Sequence, residues 1–187
     1  MPDRPRHRSI RLRGWDYTSA GAYFVTICAH NGHLLFEEPG AASVIERAWR
    51  EIPNHHLQVK LDAFVIMPNH VHGIVILEGD ARFVGARHVS PLRTGGPGTA
   101  KRSLGAIVGS FKAAVTKDLR RLDLWDSQPF WQRNYYERIV RDDDELDRIR
   151  RYIAYNPTAW QFDHENPQRI NNAPHADDWS WLEDYGA

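Results

Sequence analysis

The first half of the chain carries three runs of apolar residues with the pattern of β-strands. Ala22 to Ala29 is rich in β-branched and aromatic residues. Leu57 to Ile66 begins with apolar and polar residues in alternation, becomes wholly apolar, and leads through a Pro-Asn turn into a third run from His70. Because both faces of this third run are apolar after His72, we expect a central strand with both sides of the sheet covered.

Apolar residues that recur every three or four positions predict two helices. The first covers Ala41 to Ile52 and ends before Pro53, and the second begins at Ser103 and continues to Leu122. The outer face of the second helix carries the cations Lys112, Lys117, Arg120 and Arg121. Such a face is typical both of a solvated helix and of one that contacts DNA, and the sequence leaves the two interpretations open.

A third helix is predicted from Asp142 to Asn156. Asp142 and Glu145 have the spacing of a capping box, and the acids there lie at the positive end of the helix dipole. Pro157 favours an end at Asn156, because the residue before a proline is pushed out of helical geometry. Tyr152 and Asn156 are four residues apart, so we expect both side chains on nearly the same face.

Charge is balanced over the whole chain but uneven along it. The formal net charge is zero, yet residues 4–13 hold five arginines and no acid. Residues 82–121 hold nine lysines or arginines against one acid, whereas residues 163–187 are strongly acidic. This distribution suits a protein that presents a basic surface to nucleic acid.

The chain is long enough for one domain with extended termini. We expect a basic N-terminal arm over residues 1–20 and one domain over residues 21–160. Residues 78–102, rich in glycine and proline, are expected to form a mobile loop within that domain. Residues 161–187 are expected to form an acidic C-terminal tail.

Cysteine content and hydropathy indicate a cytoplasmic location. Cys28 is the only cysteine, so no intramolecular disulfide can form and a reducing compartment is expected. The arginine-rich N-terminus has no apolar segment behind it, and no run of about 18 apolar residues occurs. We therefore expect neither a signal peptide nor a membrane span.

His70 and His72 are the first candidates for chemistry. Side chains in a strand alternate between faces, so two histidines roughly 6.6 Å apart along one strand can hold the same metal ion. A third protein ligand must come from elsewhere in the chain. A histidine pair of this spacing also occurs by chance in strands, and the tripeptide alone does not distinguish the two cases.

Residues 130–141 combine aromatic side chains with arginines, a composition that favours stacking on bases and contacts with phosphates. The arginine-rich arm and the cationic helix have the same tendency. The candidate DNA-binding residues are Arg11, Arg13, Arg102, Lys112, Arg133, Tyr135, Tyr136 and Arg138. For Tyr135 and Tyr136, stacking on DNA, packing in the core and action as a nucleophile are all open.

From about Arg11 to Pro167 the chain resembles the REP-associated tyrosine transposases, which belong to the single-tyrosine HUH transposases. Four blocks in order carry the resemblance: Gly21 to Ile27, Met67 to Gly73, Trp131 to Glu137 and Tyr152 to Pro157. The resemblance implies an α+β fold, with a ferredoxin-like antiparallel sheet of the HUH nuclease type packed with helices.

The same resemblance implies roles for individual residues. His70 and His72 would hold a divalent metal, Mg²⁺ or Mn²⁺, with Asn156 as the third ligand, and Tyr152 would be the nucleophile. Many relatives have a histidine where this chain has Arg138, so the role of that histidine is not carried over.

The implied activity is that of a DNA-binding transposase and endonuclease. It would cleave and rejoin single-stranded DNA at hairpins of the REP type through a 5′-phosphotyrosine, acting as a monomer or a homodimer. Two alternatives remain at this stage. One is a domesticated hairpin-binding protein without strand transfer, and the other is a metal-dependent phosphodiesterase that uses water.

Overall fold

The computed structural model of the protein describes residues 16–79, 103–125, 129–163 and 165–170. Most of the predicted arm and of the predicted loop at 78–102, and residues 171–187 of the predicted tail, lie outside these ranges. Within them, the chain forms a four-stranded antiparallel sheet with helices on both faces. None of the helices in these ranges combines the length and apolar composition that crossing a membrane requires.

The strands are β1 (Gly21–Cys28), β2 (Val59–Ile66), β3 (His70–Leu77) and β4 (Tyr136–Val140). The α-helices are α1 (Ala41–Arg50), α2 (Ile52–His55), α3 (Leu104–Arg121) and α4 (Asp143–Ala159). The sheet order is β2-β3-β1-β4, and α1 and α3 connect strands in a β-α-β-β-α-β succession, which is ferredoxin-like. The predicted α+β fold, an antiparallel sheet packed with helices, is confirmed.

Successive residues of each strand point to opposite faces of the sheet. One face packs against α1 and α3 around Val25, Val71 and Val75. The other packs against α4 around Phe24 and Ile74. The strand β3 lies between β2 and β1 and is buried along nearly its whole length, as its apolar pattern predicted.

Gly73 allows α1 to approach β3 closely. A Cβ atom at this position would lie 2.5 Å from Cη2 of Trp49, a separation at which the atoms overlap. The Trp49 ring also stacks on Phe64 with a centroid distance of 4.5 Å. The glycine after His72 therefore sets the packing of the face opposite the histidines.

The helix α4 continues through Pro157 to Ala159, so the predicted end at Asn156 is wrong. Ile149 and Ile153, both buried, pack this helix against the sheet and hold its path. The side-chain amide of Asn156 also donates to the carbonyl of Tyr152, at 3.4 Å. Tertiary packing thus outweighs the local preference of the residue before proline.

Two ion pairs attach α4 to the sheet. Arg138 of β4 contacts Glu145 through two guanidinium nitrogens, with its Nε donating at 2.6 Å. Arg150 donates to both carboxylate oxygens of Asp62 on β2, at 2.9 and 2.6 Å. The strand β4 itself was not predicted, because its mixture of aromatic, acidic and basic residues lacks a strand pattern.

Candidate active site

His70 and His72 project from β3 toward the α4 face of the sheet. They are 0% and 2% exposed, and their Nε2 atoms lie 2.9 Å apart. The strand periodicity placed both histidines on one face, and the structure brings their Nε2 atoms together there.

The opposite nitrogen of each imidazole is held by a neighbour. Nδ1 of His70 donates to Oδ1 of Asn69 at 2.8 Å. Nδ1 of His72 is 2.8 Å from the hydroxyl oxygen of Thr26, directly across on β1. Such contacts fix ring orientation and leave Nε2 directed at the site, as the outer contacts of metal-binding histidines do.

The carboxylate of Asp163, which no sequence pattern marks as a candidate, completes the cluster. Oδ2 of Asp163 lies 3.7 Å from Nε2 of His70, and its side chain is 5% exposed. The candidate ligand atoms of His70, His72 and Asp163 all lie within 4.8 Å of one another, so the group can hold a metal ion. Asp163 belongs to the segment predicted as the acidic tail. The sequence feature that could have marked it as a candidate ligand is its position shortly after α4.

Tyr152 reaches the same site from α4. Its hydroxyl oxygen is 3.5 Å from Nε2 of His72, and the two rings are 5.2 Å apart. Phe24 contacts both rings, stacking on His72 and meeting Tyr152 edge-on. A phenol, two imidazoles and a carboxylate therefore converge between β3 and α4.

Asn156 is 3% exposed and lies one helical turn beyond Tyr152. Its side-chain Nδ2 donates to the Tyr152 carbonyl at 3.4 Å. Its role as a metal ligand stays a prediction. The side-chain oxygen that lies next to Nε2 of His70 belongs to Asp163 instead.

Tyr136 and Tyr135 differ in position from Tyr152. Tyr136 lies opposite Thr26 on β4, and burial raises the pKa of its phenol, with a smaller contribution from Tyr152. Tyr135 packs partly buried against the α1 and α3 core, and Nζ of Lys112 is 5.9 Å from its ring centroid. DNA contact by either tyrosine stays a prediction.

The candidate DNA-binding cations have different surroundings. Arg133 is exposed, whereas the Arg138 side chain is 11% exposed and paired with Glu145. Nζ of Lys112 donates to the carbonyls of Gln132 and Asn134, and burial lowers its pKa to about 8. Arg11, Arg13 and Arg102 lie outside the described residues.

Proteins similar to the chain include two relatives and a solved structure. An uncharacterized protein of Haemophilus influenzae is 38% identical over 83% of this chain and 91% of its own length. A candidate REP-associated tyrosine transposase of the same species is 24% identical over 76% of this chain and 73% of its own. The structure of a REP-associated tyrosine transposase bound to a REP hairpin has a TM-score of 0.56 at 18% identity. The match covers 78% of this chain and 72% of that chain.

The chain has the fold of that REP-associated tyrosine transposase and is similar in sequence to a candidate transposase of the same type. No family model matches it. In this chain, the block Met67 to Gly73 forms the turn into β3 and the first half of that strand, and the block Tyr152 to Pro157 lies in α4. The two blocks meet at the cluster, where His72 and Tyr152 are in contact.

Proposed function

We propose that this protein cleaves and rejoins single-stranded DNA at hairpins of the REP type, through a 5′-phosphotyrosine and with a divalent metal ion. The observation that carries the proposal is the convergence of His70, His72, Asp163 and the Tyr152 hydroxyl at one buried place. The similarity to REP-associated tyrosine transposases supports the same activity class.

The donor set suits a divalent ion bound by two imidazole nitrogens and one carboxylate oxygen. Mg²⁺ and Mn²⁺ are the proposed ions, since oxygen ligands and open positions for substrate suit both. When bound, the ion would polarise a phosphate oxygen and help orient the scissile bond. His70 and His72 offer Nε2, while Asn69 and Thr26 hold the rings from behind.

Tyr152 is the proposed nucleophile. Its oxygen would attack the phosphorus, so that the new bond to tyrosine forms as the bond to the 3′ oxygen breaks. The phenolic proton would end on the departing 3′ hydroxyl, which leaves the protein joined to the 5′ phosphate. Phe24, packed against the Tyr152 ring, would restrict the phenol to the side of α4 that meets His72.

Rejoining would be the reverse step with another 3′ hydroxyl. The phosphotyrosyl ester retains the energy of the broken phosphodiester, so no nucleotide cofactor is needed. Water in place of the hydroxyl would give simple hydrolysis.

Tyr136 is the competing nucleophile, and its environment argues against it. Burial raises the pKa of its phenol, which disfavours the phenolate that attacks phosphorus. Its place on β4, beside Thr26, supports packing next to the site.

Hairpin DNA is the proposed substrate. The structural neighbour is a transposase bound to a REP hairpin, and the exposed Arg133 and the basic residues of the arm suit phosphate contacts. We propose that single-stranded segments of the DNA reach the site, because the bases of single-stranded DNA are free to unstack. The active unit would be a monomer or a homodimer.

A denaturing gel tests the proposal. Wild-type protein with a labelled single-stranded hairpin and Mg²⁺ should give a DNA adduct that survives denaturant, and Tyr152→Phe should give none. Tyr155→Phe is the matched control, because Tyr155 is exposed on the same helix, and it should keep the adduct.

The other outcomes separate the alternatives. Binding without cleavage in wild type would indicate a domesticated hairpin-binding protein. Cleavage with no adduct, and unaffected by Tyr152→Phe, would indicate a phosphodiesterase that uses water. An adduct on the peptide containing Tyr136 would move the nucleophile to β4.

A further inference from the structure

Asn69 is a turn residue by its sequence pattern, yet its side chain contacts His70 of the cluster. It lies between β2 and β3 and is 1% exposed. Its Nδ2 donates to the carbonyl of Gly32 at 3.2 Å and to the carbonyl of Glu165 at 2.7 Å. Its Oδ1 accepts from Nδ1 of His70 at 2.8 Å.

These contacts determine how the Asn69 amide is oriented and which nitrogen of His70 carries the proton. Backbone carbonyls only accept hydrogen bonds, so the amide must present its NH₂ group to Gly32 and Glu165. The amide oxygen then faces His70, which requires a proton on Nδ1 of that ring. A neutral His70 with the proton on Nδ1 has its lone pair on Nε2, the atom that faces the site.

The same amide also reaches the segment that carries the carboxylate. The backbone N–H of Glu165 donates to Oδ1 of Asp163 at 2.8 Å, and Oδ2 of Asp163 lies 3.7 Å from Nε2 of His70. The contacts thus form a closed circuit from Asn69 to Glu165, to Asp163, to His70 and back to Asn69.

We propose that Asn69 is a positioning residue that couples two metal ligands, His70 and Asp163, so that neither adopts its binding geometry independently of the other. This inference rests on the metal site of the proposed function. It assigns Asn69 a role beyond that of a turn, since a turn residue has no need of an amide shared between a ligand and a distant chain segment.

The coupling predicts non-additive effects on metal affinity. Asn69→Ala removes the whole connection, whereas Asn69→Asp keeps the acceptor for His70 but replaces the donor to Glu165 with an oxygen. In both variants the Asp163 segment loses the hydrogen bond between the Glu165 carbonyl and the turn before β3. Asp163→Ala should then cost much less affinity than it does in the wild-type background.

The Mn²⁺ affinity of the full chain without DNA tests this non-additivity directly. The electron paramagnetic resonance signal of the free ion reports how much Mn²⁺ is unbound. We expect Asn69→Ala to weaken binding by about 10–100-fold, the usual effect of losing an outer contact of a ligand. We expect Asp163→Ala to weaken binding by at least about 10-fold in wild type and by less than about 3-fold in Asn69→Ala or Asn69→Asp.

Asn54→Ala is the matched control, since Asn54 bonds only to the nearby Glu51 in the described contacts and is exposed. Thermal melting of each variant checks folding, and Asn69→Asp serves if Asn69→Ala does not fold. Nitrogen chemical shifts should also show the Nδ1-protonated form of His70 in wild type and a mixture in Asn69→Ala.

Each remaining result is decisive. If Asp163→Ala costs the same factor in every background, Asn69 does not couple the ligands and the inference is overturned. The same holds if wild type binds Mn²⁺ and Asp163→Ala binds it equally well. If wild type does not bind Mn²⁺, the metal site of the proposed function fails first, and the inference fails with it.

Discussion

The two faces of the sheet use the same strands for different purposes. The face that packs against α1 and α3 carries the larger apolar cluster, including Val71 and Val75 of β3. The α4 face carries a small apolar cluster around Ile74, and beyond it the imidazoles of His70 and His72. Because side chains alternate, one strand supplies the core and the candidate chemistry from neighbouring residues.

The difference indicates that stability and chemistry can be changed separately. Substitutions on the α1 and α3 face should act on the free energy of unfolding. Substitutions on the α4 face should act first on metal binding and cleavage, except where they break the ion pairs that attach α4. Four predictions test this separation, from the largest expected effect to the smallest.

The largest effect is expected at the histidines. His70→Ala and His72→Ala should each reduce cleavage of a single-stranded hairpin by more than about 100-fold, because each removes a ligand rather than an outer contact. Hairpin binding should largely survive. Nicking with added Mg²⁺ and binding by fluorescence anisotropy measure the two properties.

Asn156→Ala serves as the milder comparison, because water can replace a single neutral oxygen ligand. Near-normal nicking by His70→Ala or His72→Ala in chelator-treated buffer would show that the metal has no part in cleavage.

Next is the buried ion pair that connects β4 to α4. Arg138→Met leaves Glu145, whose side chain is 3% exposed, without its cation. We expect a loss of about 3–5 kcal/mol in the free energy of unfolding, since an uncompensated buried charge is costly. Urea unfolding followed by circular dichroism measures it.

The control for this pair is Arg47→Met, which breaks an exposed contact with Asp118 and should cost only about 0–1 kcal/mol. Equal losses for the two variants would mean that Glu145 is stabilised without Arg138.

On the opposite face, Gly73→Ala should lower the free energy of unfolding by about 1–3 kcal/mol. The added methyl overlaps the Trp49 ring and forces α1 or β3 to shift. Urea unfolding gives the loss. Mn²⁺ affinity of the same variant shows how far the strain reaches toward His72.

Gly109→Ala is the control, because a Cβ at that position of α3 meets nothing within 4 Å. It should be neutral or stabilising by up to about 1 kcal/mol. A stable Gly73→Ala variant would show that Trp49 has another rotamer available at no cost.

The smallest effect concerns pH. The pKa of Lys112 is lowered to about 8 from the ordinary value of 10.5 because burial disfavours the charged amine. Between these values the unfolded chain binds more protons at Lys112 than the folded one, so this amine contributes a free energy of unfolding that rises with pH. Above pH 9 the Cys28 thiol opposes it, because burial raises the pKa of that thiol. The rise should reach about 2 kcal/mol at most.

Lys112→Met should remove this rise, and the difference between the two proteins in urea unfolding at pH 8 and pH 10 isolates it. Above pH 10 the raised pKa of Tyr136 acts in the opposite direction, since ionisation of that phenol in the unfolded chain then lowers stability. A wild-type slope equal to that of Lys112→Met would show that the amine is solvated.

The sequence predicted most of the fold because its main patterns are local. Runs of apolar, β-branched and aromatic residues identified β1, β2 and β3, and the apolar stripes identified α1, α3 and α4. The strand β4 was missed because its inward and outward residues do not alternate in polarity. The end of α4 was misplaced because packing of Ile153 overrides the effect of Pro157.

The candidate site could be predicted from the sequence only in part, because part of it depends on contacts that are not local. The common face of His70 and His72 follows from strand geometry alone. The approach of Asp163 depends on the chain direction after α4, which no periodicity encodes. The pairing of Arg138 with Glu145 likewise depends on how α4 lies on β4, so an arginine assigned to DNA contact is held inside an ion pair.

The position of Asp163 after α4 has a consequence for the order of synthesis. The histidines of β3 and Tyr152 of α4 leave the ribosome before Asp163 does, so a nascent chain that ends with α4 has the imidazoles and the phenol but not the carboxylate. Because domains fold as their residues emerge, the sheet can form first and the cluster is completed last. The growing chain therefore holds all the side chains of the cluster only after α4 has been synthesised.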